Sequence, residues 1–474
     1  MLTYDLTNSN RPLYQTLYEC IRADIQAGKL RSGAKMPSKR TLADNLGVST
    51  ITVENAYDQL IGEGYLTARP RRGYYVADMA GQAVPQVPLR RAPTVRKKRE
   101  AAVRYDFSSN STARDDFPFS VWARLMRETL SCREQDFLTV SPCEGVWEVR
   151  AAISEHLRSF RGMNVDPDQI IVGAGTETLY GLLIQLLGRD AVYCIENPGY
   201  KKLRAIYDSW GVRCTWADLD SSGMDVAALR ATGADVAHIS PNHHFPTGIT
   251  MPVSRRYELL AWANEAPDRY IIEDDYDSEF RLSGRPIPPL ESIDACGRVI
   301  YMNTFSKSLT ATIRISYMVL PEELANRFFE KLSFYANTVS TFEQYTLASF
   351  ISEGYFEKHI NRMRLRYGRK KTRVLEAVRS VFNEEECRIL ENDSGLHMVL
   401  RFCTDLSDRA VEEQLAEQGI RICAITDYEM DKDVRDRHAF ILNYSSLELS
   451  RLPEALGILR GVLYDGKRKR GESQ

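Results

Sequence analysis

The sequence predicts two joined folds: a small winged helix-turn-helix head, followed by a large α/β domain whose sheet is mostly parallel. Two short capped helices around a glycine turn indicate the head, and apolar strands alternating with helical stretches from Tyr105 onward indicate the body. A break in composition separates them. At roughly 150 residues per domain, 474 residues with 43% hydrophobic side chains make about two to four domains, so a single small module is excluded.

In the head, assigned to residues 1–77, Leu13, Leu17, Ile21 and Ile25 recur at helical spacing in a run that stops at Gly28. Ser38 caps a short helix through Leu46, Gly47 supplies the turn, and Ser49 caps a second helix to about Glu63. YLTARPRRGYYVA then reads as two short strands around a basic turn, a wing. Such a head presents the first turn of its second helix to the major groove, which makes Ser49, Thr50, Thr52 and Asn55 the expected base readers. Lys39, Arg40, Arg69, Arg71 and Arg72 are the expected phosphate contacts, which fix register without choosing sequence.

Residues 78–104 hold three prolines and seven basic side chains with little apolar periodicity, the pattern of a basic tether. Residues 1–104 carry 17 basic and 9 acidic side chains, a net +8; the whole chain is at -2, so the remainder is at -10. That asymmetry points to a polyanion-binding front on an acidic body. Mean hydropathy is -0.35, no uncharged apolar run approaches the roughly 18 residues of a spanning helix, and MLTYDLTNSN lacks the pattern of a secretory signal, so the expectation is a cytoplasmic protein with no membrane contact. Nine cysteines lie scattered with no CxxC pair, which indicates neither a disulfide framework nor a metal site.

In the body, 105–474, the informative residues fall where strands end, the place where ligands of such sheets bind. In GAGTETLY a strand ends in a small-residue turn that opens a helix at Thr176, so backbone N–H groups and the positive helix end can hold a phosphate; an ordinary strand-to-helix turn would look the same. IIEDDYDSEF places Asp274, Asp275 and Tyr276 at a strand end, and NTFSKSLTATIRISYMV places Thr304, Ser306, Lys307 and Arg314 after a later strand. A lysine among small hydroxyl residues can form an imine with an aldehyde cofactor. A carboxylate can keep a pyridine nitrogen protonated, and a guanidinium binds a phosphate dianion with two aligned donors. Taken singly, Asp274 could be a helix cap, Tyr276 core and Arg314 half of a surface ion pair; the ordered combination makes that set improbable.

MPSKRTLADNLGVSTITVENAYDQLIGEGYL resembles the winged helix-turn-helix of the GntR family of bacterial regulators over about residues 10 to 77, with Thr50 and Ile51 where relatives commonly carry Arg followed by Asn or another polar residue. The motif order DFSSNSTARDDFP, ENPGY, SPNHHFPTG, IIEDDYDSEF, NTFSKSLTATIRISYMV resembles a fold-type I, aspartate-aminotransferase-like domain that binds pyridoxal 5'-phosphate (PLP) over about residues 105 to 465. The whole chain resembles the MocR/GabR subfamily of transcription regulators.

That resemblance implies Lys307 as the Schiff-base lysine, Asp274 against the pyridinium with Asp275 as the alternative one residue on, Tyr276 at the phenolate and Tyr200 stacked on the ring. It implies a phosphate cup of Gly175, Thr176, Glu177, Thr304, Ser306 and Arg314. It further implies a homodimer with exchanged heads on double-stranded operator DNA, sensing a small amine, an amino acid or PLP. A working aminotransferase with an appended DNA-binding module is the alternative. Three departures bear on that choice. Phe245 stands where aminotransferases place an asparagine, with His243 or His244 as substitute; Ile441 stands at the slot of the arginine for the substrate carboxylate, leaving Lys202 or Arg437 to supply charge; and Val140 stands where a partner subunit commonly lends a tyrosine.

Overall fold

A computed structural model describes residues 2–4, 6, 11–78, 103–109, 116–282, 287–390, 395–431 and 437–465; nearly all of the expected tether lies outside them. The chain divides into two compact units, Met1–Lys98 and Arg99–Gln474.

The first unit contains α1 (Leu13–Gln26), α2 (Lys39–Leu46), α3 (Thr50–Gly62) and the antiparallel pair β1 (Leu66–Arg69) and β2 (Gly73–Val76). Both expected caps form. Ser38 accepts from the Thr41 amide at 3.1 Å, Ser49 accepts from the Thr52 amide at 3.2 Å, and Gly47 takes the left-handed conformation at φ 63° that closes the turn. Leu17, Ile21 and Ile25 pack on Leu42, Val53, Tyr57 and Leu60 to make the core. Leu13, expected on the same stripe, is the first residue of α1 and is exposed.

The second unit starts at β3 (Tyr105–Asp106) and is organised by an eight-stranded sheet built from β4 (Ile170–Ala174), β5 (Val192–Asn197), β6 (Arg213–Asp220), β7 (Gly223–Met224), β8 (Val236–Ile239), β9 (Tyr270–Asp274), β10 (Val299–Thr304) and β11 (Ile315–Val319). Their order is β4-β11-β10-β9-β8-β5-β6-β7. The four neighbour pairs from β10 to β6 are parallel, and β11 runs against both β10 and β4. The inner strands are buried on both faces, which accounts for their near-continuous apolar runs.

A second sheet joins β12 (Cys387–Leu390), β13 (His397–Phe402), β15 (Cys423–Ala424) and β16 (Ala439–Asn443), all antiparallel, and β14 (Ile420–Arg421) pairs with β3. The 27-residue helix Tyr355–Val381 packs Phe356, Ile360, Met363, Tyr367, Val374 and Val378 into the core shared with that sheet.

Candidate functional site

The sheet topology gathers the predicted cofactor residues along one edge. Gly175, Thr176 and Glu177 follow β4, Tyr200 follows β5, Asp274 ends β9, Thr304 ends β10, and Ser306 and Lys307 follow it. Arg314 precedes β11, and because β11 is antiparallel its start lies beside the end of β4: Ile315 pairs with Ala174. One reversed strand therefore brings a residue from 139 positions away to the same turn as Gly175.

That turn is shaped for a close neighbour. Gly175 has φ 89°, and a Cβ there would collide with the Arg314 guanidinium. Arg314 itself takes φ 54°, a strained conformation for a non-glycine residue, costing on the order of 1–3 kcal/mol. The Glu177 carboxylate bridges Arg314 and Lys202, and those two cations, the Lys202 hydrogen bond first, hold its pKa below the usual carboxylate range. Thr304 caps the short helix Phe305–Ser308 by accepting from the Ser306 amide at 3.2 Å and receives the Ser316 hydroxyl at 2.8 Å. Its hydroxyl is thus fixed by the loop that carries Lys307.

Burial pushes the Lys307 amine down from its ordinary pKa, with Asp277 opposing, and the amine makes no hydrogen bond or ion pair among the described residues. The free-base fraction rises accordingly, as a nucleophilic amine requires.

The neighbouring aspartates separate cleanly. Asp275 is consumed by the fold: Arg161 Nη2 lies 2.6 Å and the Tyr301 hydroxyl 2.7 Å from its Oδ2, with both partners of the ion pair almost fully buried. Asp274 accepts from the Tyr180 hydroxyl at 2.9 Å through Oδ2, while its buried Oδ1 finds no hydrogen-bond partner among the described residues. An acceptor left open at a strand end fits the N–H of a protonated pyridine.

Tyr276 is held well above the ordinary phenol range by burial and by Asp277, Asp274 and Asp275, so it stays a hydroxyl donor. Its oxygen lies 3.1 Å from His243 Nδ1, which also meets Asp277 Oδ2 at 2.8 Å. His244 turns away to Thr247 and Glu196, and burial with the adjacent His243 pushes its pKa down to about 3. Of the two candidates, His243 is the one that adjoins Tyr276. Phe245 packs edge-on to Tyr200, His397 and Tyr428 and offers no donor.

At the expected carboxylate slot, Ile441 is buried against Val399, Ile425 and Ala439. Lys202 is engaged by Glu177 and Arg437 by Glu429. Val140 is exposed. Three neighbours were not singled out from sequence: Tyr180, His238, whose Nε2 lies 3.8 Å from Asp274, and His397, whose ring is 4.7 Å from that of His243. Tyr180 was accessible, since it follows Thr176 by one helical turn. The two histidines depend on strand pairing.

In the head, Thr50, Asn55, Arg40, Arg69, Arg71 and Arg72 are exposed, and Arg71 sits at φ 61° in the wing turn. Ser49 and Thr52 share a 2.8 Å hydroxyl contact, so both also serve the cap. Lys39 is largely covered, 2.7 Å from Glu54 and 3.6 Å from Asp58, and braces α2 against α3. Ile51 projects from the first turn of α3 with 67% of its surface exposed.

Comparison with known proteins agrees with this division. Residues 13–76 match the gntR family of bacterial regulatory proteins, and residues 105–437 match aminotransferase class I and II. The HTH-type transcriptional regulator YdeL of Bacillus subtilis is 36% identical over 88% of this chain and 89% of its own. MocR of Rhizobium meliloti, described as a probable rhizopine catabolism regulatory protein, is 32% identical over 98% and 96%. Among solved structures, the multiple substrate aminotransferase of Thermococcus profundus superposes with a TM-score of 0.69 at 23% identity, covering 80% of this chain and 97% of that one, a likeness of fold.

Proposed function

From the premise that this chain belongs to the MocR/GabR subfamily of GntR-type transcription regulators, we propose that its body captures PLP on Lys307 and reports that occupancy, or that of a small amine or amino acid, to operator DNA held by the head. The observation that carries the reading is the presence of a half-buried, unpartnered Lys307 amine and an open Asp274 oxygen along one sheet edge.

When bound, PLP supplies an aldehyde for amines and an electron-withdrawing ring. The chain's own part is positional and electrostatic. Asp274, oriented by Tyr180, would accept the ring N–H, and Tyr276 would donate to the ring oxygen, with Asp277 and His243 holding its hydroxyl in place. Arg314, the first-turn amides of the Thr176–Leu187 helix, Thr304 and Ser306 would take the phosphate, and Tyr200 would cover the ring. Turnover of ordinary amino acids is not proposed. A carboxylate placed against Ile441 would lose several kcal/mol for want of a counter-charge.

On the head, Thr50 and Asn55 would meet base edges, with Ser49 and Thr52 holding the helix start, while Arg40, Arg69, Arg71 and Arg72 would meet phosphates. Lys39 would contribute through the fold rather than by direct contact. A cytoplasmic homodimer with exchanged heads would present two such helices to two half-sites. Borohydride reduction of PLP-treated protein followed by mass spectrometry tests the capture: a pyridoxyl adduct is expected on Lys307 and none in Lys307→Ala. Fluorescence anisotropy with operator DNA, with and without PLP and amines, tests the report. Unchanged affinity throughout would refute it.

A further inference from the structure

The Tyr355–Val381 helix carries nine basic and two acidic side chains, a net +7, inside a body that is acidic as a whole. Five of them, Arg362, Arg366, Arg369, Lys370 and Arg373, follow one another at intervals of one to four residues and line a single groove of about 700 Å³ together with Leu365 and the 446–449 segment. From 362 to 373 the helix rises about 16 Å, so the cations form a row with the reach of several successive phosphates.

The row is under-neutralised. Arg366 meets Asp116, Lys370 donates to the Ser445 carbonyl at 2.7 Å, and Glu448 is the acidic side chain lining the groove. Arg369 and Arg373 are exposed and make no ion pair among the described residues. Burial pushes the Lys370 amine down to about 8, with Asp116 opposing and Arg366 adding a smaller push in the same direction. A row of exposed arginines suits a chain of regularly spaced anions better than one small anion, which would draw the cations to a point.

We propose that this groove is a second contact for duplex DNA, taking the sugar-phosphate backbone of sequence flanking the stretch held by the head. The proposal rests on the regulator reading. Because the contact is to phosphates, it adds affinity and salt dependence without base preference. The groove is independent of the Lys307 edge: no residue lining it belongs to the predicted cofactor set.

The test uses the full chain and a duplex of about 40 base pairs of arbitrary sequence, with binding measured from low to physiological salt. The double variant Arg369→Gln/Arg373→Gln is expected to bind more weakly and to flatten the log–log salt slope by about 2 for each groove engaged. Its melting temperature and the borohydride-fixed adduct on Lys307 should match the wild type. A charge-matched control, Arg158→Gln/Arg409→Gln, removes two exposed arginines elsewhere on the body. If this control flattens the slope equally, the effect is net charge and the proposal falls. If the groove variant leaves the slope unchanged while Arg71→Gln/Arg72→Gln flattens it, the groove is not a DNA contact and the head reading stands. If neither moves it, both readings fail.

Discussion

Adjacent aspartates at the end of β9 offer a sharp test, because Asp275 and Asp274 should fail in opposite ways. Asp275→Asn removes the charge that neutralises Arg161, a pair 2.6 Å apart whose side chains are 1% and 2% exposed. Leaving a buried guanidinium uncompensated costs about 3–5 kcal/mol, which at about 2 °C per kcal/mol lowers the melting temperature of a large domain by about 6–10 °C. Asp274→Asn should be nearly silent in that assay. Its amide oxygen still accepts the Tyr180 hydroxyl, so the loss is about 1 kcal/mol. What it forfeits is the ionised acceptor for the ring nitrogen, worth about 1.5–3 kcal/mol, hence a ten- to hundredfold weaker PLP affinity. Thermal melts of both variants, paired with absorbance titration of PLP, separate the two effects. If Asp274→Asn melts as early as Asp275→Asn while binding PLP normally, the assignment of roles is wrong.

Glu177→Gln should bind PLP several-fold more tightly, since it frees Arg314 and Lys202 from two half-exposed ion pairs worth about 0.2–1 kcal/mol each; equal or weaker binding in the same titration would count against the phosphate cup. Buried Glu196 and Glu279 are each pushed up to about 8, mainly by burial. Groups raised on folding stabilise most below their unfolded pKa and lose that contribution as pH climbs to the folded value, so melting temperature should fall between about pH 4.5 and pH 8, and Glu196→Gln should flatten the fall. Ile51 should pack on a thymine methyl, so replacing that thymine by uracil in a selected operator should cost the wild type about fourfold and Ile51→Ser nothing. Coupling between body and head is reciprocal, so if PLP changes operator affinity by a factor, operator DNA must change PLP affinity by the same factor; unequal factors would mean that the two measurements report different equilibria.

The head was the most legible part of the sequence because its boundaries are written in local chemistry. Ser38 and Ser49 accept from amides three residues on, and Gly47 takes the left-handed turn that its missing side chain permits. The body's strands were legible as apolar runs, but their direction was not. Nothing in ISYMV distinguishes an antiparallel β11, and without that reversal Arg314 has no visible reason to meet Gly175. The acidic run around Asp274 shows the same limit. Glu273 accepts from the Leu290 and Glu291 amides, Asp275 pairs with Arg161, Asp277 meets His243, and Asn303 donates to Glu279. Strand alternation and the loop that follows send like residues to unlike partners, and those partners lie 17 to 114 positions away. Lys39 shows a limit of another kind: its ion pair with Glu54, across from α2 to α3, has no local signal in the sequence.

The combination that remains argues for sensing over turnover. An aminotransferase needs two kinds of grip, one on the amine through the cofactor and one on the carboxylate, because orientation of the reacting bond depends on fixing both ends. On the reading proposed above, Lys307, Asp274 and Tyr276 would supply the first. At the slot expected for the second there is Ile441, packed with Val399, Ile425 and Ala439, while Lys202 and Arg437 already hold Glu177 and Glu429. Recruiting either cation would break an existing ion pair and would still leave the carboxylate against an apolar wall. A site with one grip binds and releases, and its occupancy follows the free concentration of what it binds. In a chain that carries a DNA-reading head, that is the property a regulator requires.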